Sequence, residues 1–310
     1  MQFKELATEW ITVKGNYIKE STYALYQYEI SNYICPAIGN LEVTEMDEQI
    51  LQRTVLEWQC GKDGYGQILR KSTAHNLVVL IKQIMKYGIK KGYMEKAELD
   101  IHYAPKQERH GRRKTLNEIE QDKLIHAILS NLTPETFGIL LCINSGLRIG
   151  EICALTWGDI DLSNQLLHVT KTIQRIYRKD TTPRSYVVIT SPKTESSIRD
   201  VPISPKVCSL IKEIADMNPD HYVLTNSERY IEPRTFRKHY DNFLDVHGIS
   251  HINFHSLRHT FATRCIEGGA NYKVVSEILG HSTINTTLNM YVHPQMSEKR
   301  KCMELIYWEL

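Results

Sequence analysis

The chain reads as a mainly α protein of two domains: a small helical bundle, then a larger helical domain carrying one small antiparallel sheet. Three observations predict this. Apolar residues recur at three- and four-residue steps in both halves. Short β-branched runs cluster only between Leu166 and Ile203. A basic run without apolar residues separates the halves. The 310 residues, 42% apolar and 24% charged, suffice for about two ordinary globular cores.

Composition narrows the class further. No run approaches the ~18 apolar residues of a membrane span. The start, Met1-Gln2-Phe3-Lys4-Glu5, lacks the basic-then-apolar layout of a signal peptide, so a cytoplasmic location is expected. The seven cysteines are odd in number and never spaced C-x-x-C, which argues against a disulfide framework and a zinc site. A net charge of +2 does not by itself point to nucleic acid; what matters is where charge clusters.

Residues 1–96 are expected to form the bundle, with helices over roughly 3–14, 21–34, 45–60 and 71–91; Pro36 and Gly39-Asn40 mark the break after the second. In the fourth, Leu77, Leu80, Ile81, Ile84 and Met85 make one face apolar. Its polar side and end carry Lys71, Lys82, Lys86, Lys90 and Lys91, a pattern that suits a solvated face and a phosphate-contacting face about equally. Residues 97–114 read as a basic linker. Its Lys106–Lys114 portion, with Arg109, Arg112, Arg113 and Lys114, cannot bury a core. If the two domains clamp a duplex, this linker neutralises phosphates and makes affinity steeply salt-dependent; otherwise it is a solvated hinge.

The second domain is expected over 115–293. Thr115-Leu116-Asn117-Glu118 has the capping-box spacing of a helix start, and Thr133-Pro134 and Ser204-Pro205 each place a cap residue before a first-turn proline. Leu166–Thr172, Ser185–Thr190 and Ser197–Ile203 predict one three-stranded antiparallel sheet, with 179–183 as a turn. From 233 onward the pattern is helical again, with Gly248, Gly268-Gly269 and Gly280 as stops. The last residues, 294–310, end in the apolar run Cys302–Leu310, which suits a docking helix.

Four stretches carry chemistry: Gly146-Leu147-Arg148-Ile149-Gly150-Glu151, Ser191-Pro192-Lys193, His255-Ser256-Leu257-Arg258, and Leu279-Gly280-His281 with Tyr291 ten residues later. A guanidinium can fork two N–H groups onto two phosphate oxygens, which lysine cannot do. Read alone, Arg148 is more often a structural arginine paired with an acid such as Glu151. His255 and Arg258 lie three apart at an expected helix start, so both can face one anion at a positive helix end. Lys193 read alone is a turn lysine in water, and among 17 tyrosines an arbitrary one is a packing or surface residue.

Taken together and in this order, the four stretches resemble the tyrosine recombinases of the phage integrase family. The most specific strings are the G-L-R-x-G-E run at Arg148, H-S-L-R-H-T-F-A-T from His255, and L-G-H-S-x-I-x-T-T-x-x-x-Y ending at Tyr291. The resemblance covers nearly the whole chain. It implies a DNA breaking-rejoining fold: an N-terminal helical, SAM-like core-binding domain and an α-rich catalytic domain with a small three-stranded sheet. It also implies that Arg148, Lys193, His255, Arg258 and His281 surround a phosphodiester attacked by the nucleophile Tyr291.

Two arginines offset the phosphate charge that repels an incoming phenolate, so much of the barrier reduction is electrostatic preorganisation. A phenol holds its proton to about pH 10 in water and needs help to lose it, which cationic neighbours and a histidine such as His255 supply. Lysine is the acid for the departing 5′ oxygen, and His281 donates to a phosphate oxygen. The resemblance implies a 3′-phosphotyrosine that keeps the bond energy. No carboxylate cluster suited to magnesium, Walker loop or other Gly-rich phosphate loop is visible, so no metal and no cofactor are expected.

The implied partners are double-stranded DNA with specific recombination sites, a homotetramer on two synapsed duplexes, and an accessory directionality factor. The apolar tail would pack on its own domain or on a neighbouring subunit. The chain is expected to begin at the core-binding helices, without the additional arm-binding domain of many element-encoded integrases. The expected role is integration or excision of a mobile element, with a Xer-type resolvase or DNA invertase as alternatives. A type IB topoisomerase or a non-catalytic DNA-binding regulator on the same fold are more distant ones.

Overall fold

The computed structural model describes residues 1–61, 68–95, 99–105, 115–178, 182–192, 194–216 and 218–291, and of residues 195 and 289–291 the backbone alone. It divides into two compact units, residues 1–110 with 176–186, and residues 111–175 with 187–310. None of the described helices is long and apolar enough to cross a membrane.

The first unit contains α1 (Phe3–Gly15), α2 (Glu20–Glu29), α3 (Cys35–Ile38), α4 (Glu48–Cys60) and α5 (Lys71–Lys91). Helices α1, α4 and α5 each contribute an apolar stripe to one core: Phe3, Leu6 and Trp10 from α1, Leu51 and Val55 from α4, Leu77, Ile81 and Ile84 from α5. Of the two markers expected for the break, Pro36 and Gly39-Asn40, the second is where the helix ends, with Gly39 capping α3. A π turn over Ile30–Ile34 joins α2 to α3, and Pro36 falls in the first turn of α3, where its missing N–H costs nothing.

Helix α5 bears out the expected span and ends at Gly92, which adopts φ +78. Residues 99–105, expected to belong to the linker, run back over α4. The Gln52 side chain donates to the His102 carbonyl (2.9 Å) and accepts from its amide (2.8 Å), and Ile101 is buried in the bundle core. The linker arginines Arg109, Arg112 and Arg113, with Lys114, lie outside the described residues. Segment 176–186 also belongs to this unit: the Arg178 guanidinium stands 5.4 Å from the Tyr23 ring centroid, and the Tyr186 hydroxyl donates to Glu20.

The second unit contains α6 (Glu118–Ser130), α7 (Pro134–Ser145), α8 (Ile149–Ala154), α9 (Pro205–Ile214), α10 (Pro233–Val246), α11 (His255–Glu267), α12 (Tyr272–Leu279) and α13 (Ile284–Tyr291). The caps expected at Thr133 and Ser204 form, each accepting an amide of the first turn. The cap expected at Thr115 shifts to Asn117, whose side chain accepts from the Glu120 amide while Glu120 accepts from the Asn117 amide. Asn fills a cap as well as Thr does, and Leu116 is thereby left free to bury.

The expected single sheet is two. Strands β1 (Ile160–Asp161), β2 (Leu166–Val169) and β5 (Arg199–Pro202) form one, in the order β1-β2-β5, while β3 (Thr172–Tyr177) and β4 (Ser185–Thr190) form the other. The run expected as one strand over 166–172 breaks after Val169. Lys171 turns away there to pair with Asp159 at 2.9 Å, and β3 starts as a separate strand. In the first sheet Leu167 pairs with Val201 and Val169 with Arg199. Side chains alternate along a strand, so the buried Val201 puts Arg199, two residues earlier, on the same inward face.

The core of this unit gathers Phe137 and Leu141 from α7, Phe236, Tyr240 and Leu244 from α10, and Phe254 and Leu257 around the start of α11. Phe254 is clamped edge-on by Phe236 and Tyr240, at centroid distances of 5.3 and 5.1 Å. That clamp fixes where α11 begins.

Candidate active site

The site is organised by the C-terminal end of α12. Gly280 adopts φ +64, and its amide and that of His281 bond back to the Glu277 and Ser276 carbonyls, the pattern of a Schellman cap. The next three carbonyls, of Ile278, Leu279 and Gly280, would otherwise be the orphan acceptors of a helix end. Three arginines take them, one each. Arg199 donates its Nε to Ile278, Arg258 its Nη2 to Leu279 at 2.6 Å, and Arg148 its Nη2 to Gly280 at 2.8 Å. Guanidinium groups suit this place twice over, because a helix C-terminus also presents negative dipole.

Each arginine arrives from a different element. Arg148 caps α8, following the left-handed Gly146 (φ +66) that ends α7. An added Cβ on Gly146 would come within 2.7 Å of both Leu279 and Phe261, so glycine is needed there for conformation and for space. Arg258 comes from the second turn of α11 and is only 1% exposed, with Nη1 on the Gly146 carbonyl at 2.7 Å. Arg199 comes from the inward face of β5.

Glu151 joins two of them. One carboxylate oxygen accepts from Arg148 Nη1 at 2.7 Å and from Arg199 Nη1 at 3.2 Å. The other accepts from the Arg148 amide at 2.9 Å and from Arg199 Nη2 at 3.0 Å. Burial would push the Glu151 carboxyl pKa up, but the Arg199 hydrogen bonds and charge, followed by Arg148, outweigh it and hold the pKa below its ordinary value. The Arg148–Glu151 pair weighed from the sequence therefore exists, inside a larger cation cluster.

His281 follows directly. Its Nδ1 lies 2.8 Å from the Thr287 hydroxyl on α13. Burial, then the charges of Arg258, Arg148 and Arg199, depress its pKa to about 4. The ring is neutral near pH 7, and when the Thr287 hydroxyl donates to Nδ1, Nε2 carries the proton and is a donor.

Other candidates fall elsewhere. His255 is the first residue of α11 and is exposed, 4.7 Å centroid to centroid from the buried His259, whose charge also acts on His281. Tyr291 ends α13, the helix that supplies Thr287; of Tyr291 only the backbone is described. Lys193 lies outside the described residues, between Pro192 and Thr194. Lys71, Lys82 and Lys86 are exposed on α5 of the first unit. There the Lys82 ammonium is bonded to the Leu99 carbonyl at 2.7 Å, and Lys71 lies 5.8 Å from the Tyr103 ring centroid.

Arg148, Arg258 and His281 are thus brought together. Sequence reading passed over Arg199 and Thr287 as participants. A signal for Arg199 was present: Arg199, Val201 and Ile203 alternate on one strand face, and an arginine in phase with two buried aliphatics needs a buried anion.

Comparison with known proteins bears on family and fold. The profile of the phage integrase family matches residues 114–298, and that of the phage integrase N-terminal SAM-like domain matches residues 2–59. A tyrosine recombinase XerC-like protein of Caldanaerobacter subterraneus subsp. tengcongensis is 28% identical over 93% of this chain and 78% of its own length. The transposase from transposon Tn916 of Enterococcus faecalis is 29% identical over 64% of this chain and half of its own. Among solved structures, a Tn1549 transposon integrase in complex with transposon right end DNA superposes with a TM-score of 0.80 at 21% identity, covering 99% of both chains.

Proposed function

The chain belongs to the phage integrase family of tyrosine recombinases, a site-specific DNA recombinase, and from that premise we propose that Tyr291 is its nucleophile and the α12 end its phosphate site. One observation carries the reading: Arg148 and Arg258 are aligned on adjacent carbonyls, directly before His281 and the helix that ends in Tyr291.

In this scheme Arg148 and Arg258 present their guanidiniums to the non-bridging oxygens of one phosphodiester, and His281 Nε2 donates a further bond. The Tyr291 oxygen attacks phosphorus as its proton passes to His255. The bond from phosphorus to the 5′ oxygen breaks, and that oxygen takes a proton from Lys193. The 3′-phosphotyrosine then accepts a 5′ hydroxyl from a second strand in the reverse sequence, so bond energy is kept and no cofactor enters. Cations fixed beforehand need no reorganisation as charge develops on phosphorus, which is where such a site gains most.

The DNA-facing residues of the scheme are Lys71, Lys86 and the basic run Arg109, Arg112, Arg113 and Lys114, with Lys82 a weaker member because of its bond to Leu99. The protein acts as a homotetramer on two duplexes in the cytoplasm, with an accessory factor setting direction. Its role is integration or excision of a mobile element, a reading supported by similarity to the Tn916 transposase. The XerC-like relative favours a second reading, resolution between directly repeated sites. A plasmid carrying two direct repeats of the flanking DNA separates the two. A resolvase deletes the interval without an element end, whereas an integrase requires one.

The test of the nucleophile is Tyr291→Phe on nicked suicide duplexes made from the DNA flanking the protein's own gene. Covalent protein–DNA complexes should vanish, a loss of roughly a thousandfold or more, while DNA affinity stays within about twofold. Strand exchange surviving in Tyr291→Phe would sink the assignment.

A further inference from the structure

Arg199 is absent from the scheme above, yet its guanidinium is bonded through all three nitrogens at the α12 end. It is 6% exposed in its side chain, spans both oxygens of Glu151, and bonds the Ser197 carbonyl at 3.0 Å and the Ile278 carbonyl. It therefore joins β5 to α8 through Glu151 and to α12 through the backbone. Contacts to Glu151, Ser197 and Ile278 occupy all three nitrogens of its guanidinium, whereas the Arg148 side chain is 35% exposed.

We propose that Arg199 is a positioning residue for strand cleavage: it keeps Glu151 a carboxylate and locks β5 to the end of α12, so that the Arg148 and Arg258 guanidiniums stay aimed at one phosphate.

The geometry gives a reason for each half. Glu151 is 2% exposed in its side chain, and with Arg148 as its one remaining cation a carboxyl so buried takes up a proton more readily. A protonated Glu151 keeps one acceptor oxygen and loses the paired contact that holds Arg148 by both its amide and its Nη1. The Ile278 carbonyl, released, would leave the α12 end free to shift relative to β5, and Leu279 and Gly280, which hold Arg258 and Arg148, would shift with it.

Charge points the same way. Three guanidiniums and one carboxylate leave an excess of two positive charges, matching the roughly two negative charges of a pentacoordinate phosphorane. Arg199 offsets the charge of Glu151, and the two phosphate-facing arginines keep their full effect. The cramped space around Gly280 belongs to the same device: an added Cβ there would come within 3.0 Å of both Arg199 Nη1 and the Ser196 carbonyl.

This inference rests on Arg148 and Arg258 being the phosphate ligands, and the experiment has one arm that needs DNA and one that does not. The full chain is prepared as wild type, Arg199→Gln and Arg199→Lys. Without DNA, the Glu151 carboxyl carbon is followed by carbon-13 NMR against pH, assigned by its loss in Glu151→Gln. The midpoint should move upward in Arg199→Gln and return most of the way in Arg199→Lys, which restores the charge.

With saturating nicked duplex from the flanking DNA, Arg199→Gln should form the covalent adduct about tenfold to a hundredfold more slowly, with an acid limb displaced to higher pH. Affinity should stay within about twofold. Arg199→Lys should recover the acid limb but only part of the rate, because an ammonium cannot bridge two oxygens and a carbonyl in one plane. An unmoved Glu151 midpoint overturns the proposal. So does a wild-type rate at saturation in a variant that merely melts earlier. If wild-type protein forms no adduct while the midpoint shifts as expected, the strand-transfer assignment fails and the hold of Arg199 on Glu151 stands.

Discussion

Arg258 and His255 sit three residues apart on α11, and their surroundings are opposite. Arg258 is sealed under the α12 end with two backbone carbonyls on its guanidinium, whereas His255 is exposed at the first position of the helix. On the proposed scheme the contrast separates two demands on the site. The arginine that would hold phosphate charge is fixed in advance, in a place where its field is not screened by water. The histidine that would exchange a proton stands where water can reach it.

The sharpest way to break this comparison is a matched pair of truncations. Arg258→Ala leaves the Gly146 and Leu279 carbonyls without their donor, and its stability in denaturant should fall by about 3 kcal/mol. His255→Ala should stay within about 0.5 kcal/mol of wild type while slowing adduct formation. Equal stability losses would mean that the two positions do not divide the work this way.

A second contrast is between the two histidines, and pH sharpens it. The ring of His281 should titrate by NMR with a midpoint of about 4 in DNA-free protein. Unfolded, a histidine binds its proton near pH 6.5. Between those values the unfolded chain takes up a proton that the folded site refuses. The contribution of His281 to stability is thus complete above about 6.5 and lost as pH falls toward about 4. Unfolding midpoints measured across that window should fall more steeply in wild type than in His281→Gln.

The smallest expected effect distinguishes two lysines of α5. Lys86→Ala should lower the salt dependence of DNA binding by about one counterion's worth, uniformly across sequences. Lys82→Ala should cost about 1 kcal/mol of stability through the lost Leu99 contact and change the salt slope less. A reversal of the two would overturn Lys86 as a proposed DNA contact.

Features written in neighbouring residues were legible from the sequence. Thr133 and Ser204 cap helices as their residue types require, Gly280 ends α12, and the span of α5 follows from its apolar stripe. Pro36 misled because a π turn before it let the helix resume. Thr115 misled because Asn117 offered an equally good cap two residues on. The sheet split after Val169, where Lys171 pairs with Asp159, a partner twelve residues back that no strand propensity records.

The sequence by itself determined the family, the residue types at Arg148, His255, Arg258, His281 and Tyr291, and where most helices start and stop. All of these are local strings or local caps. Tertiary structure decided that Arg199, Arg258 and Arg148 meet on three successive carbonyls, across separations of 79, 21 and 132 residues. It also decided that Glu151 stays charged in a buried place. The reason is that a helix end offers its orphan carbonyls to whichever donors the packed core delivers. That delivery depends on how strands and helices stack, which no short stretch of the chain specifies alone.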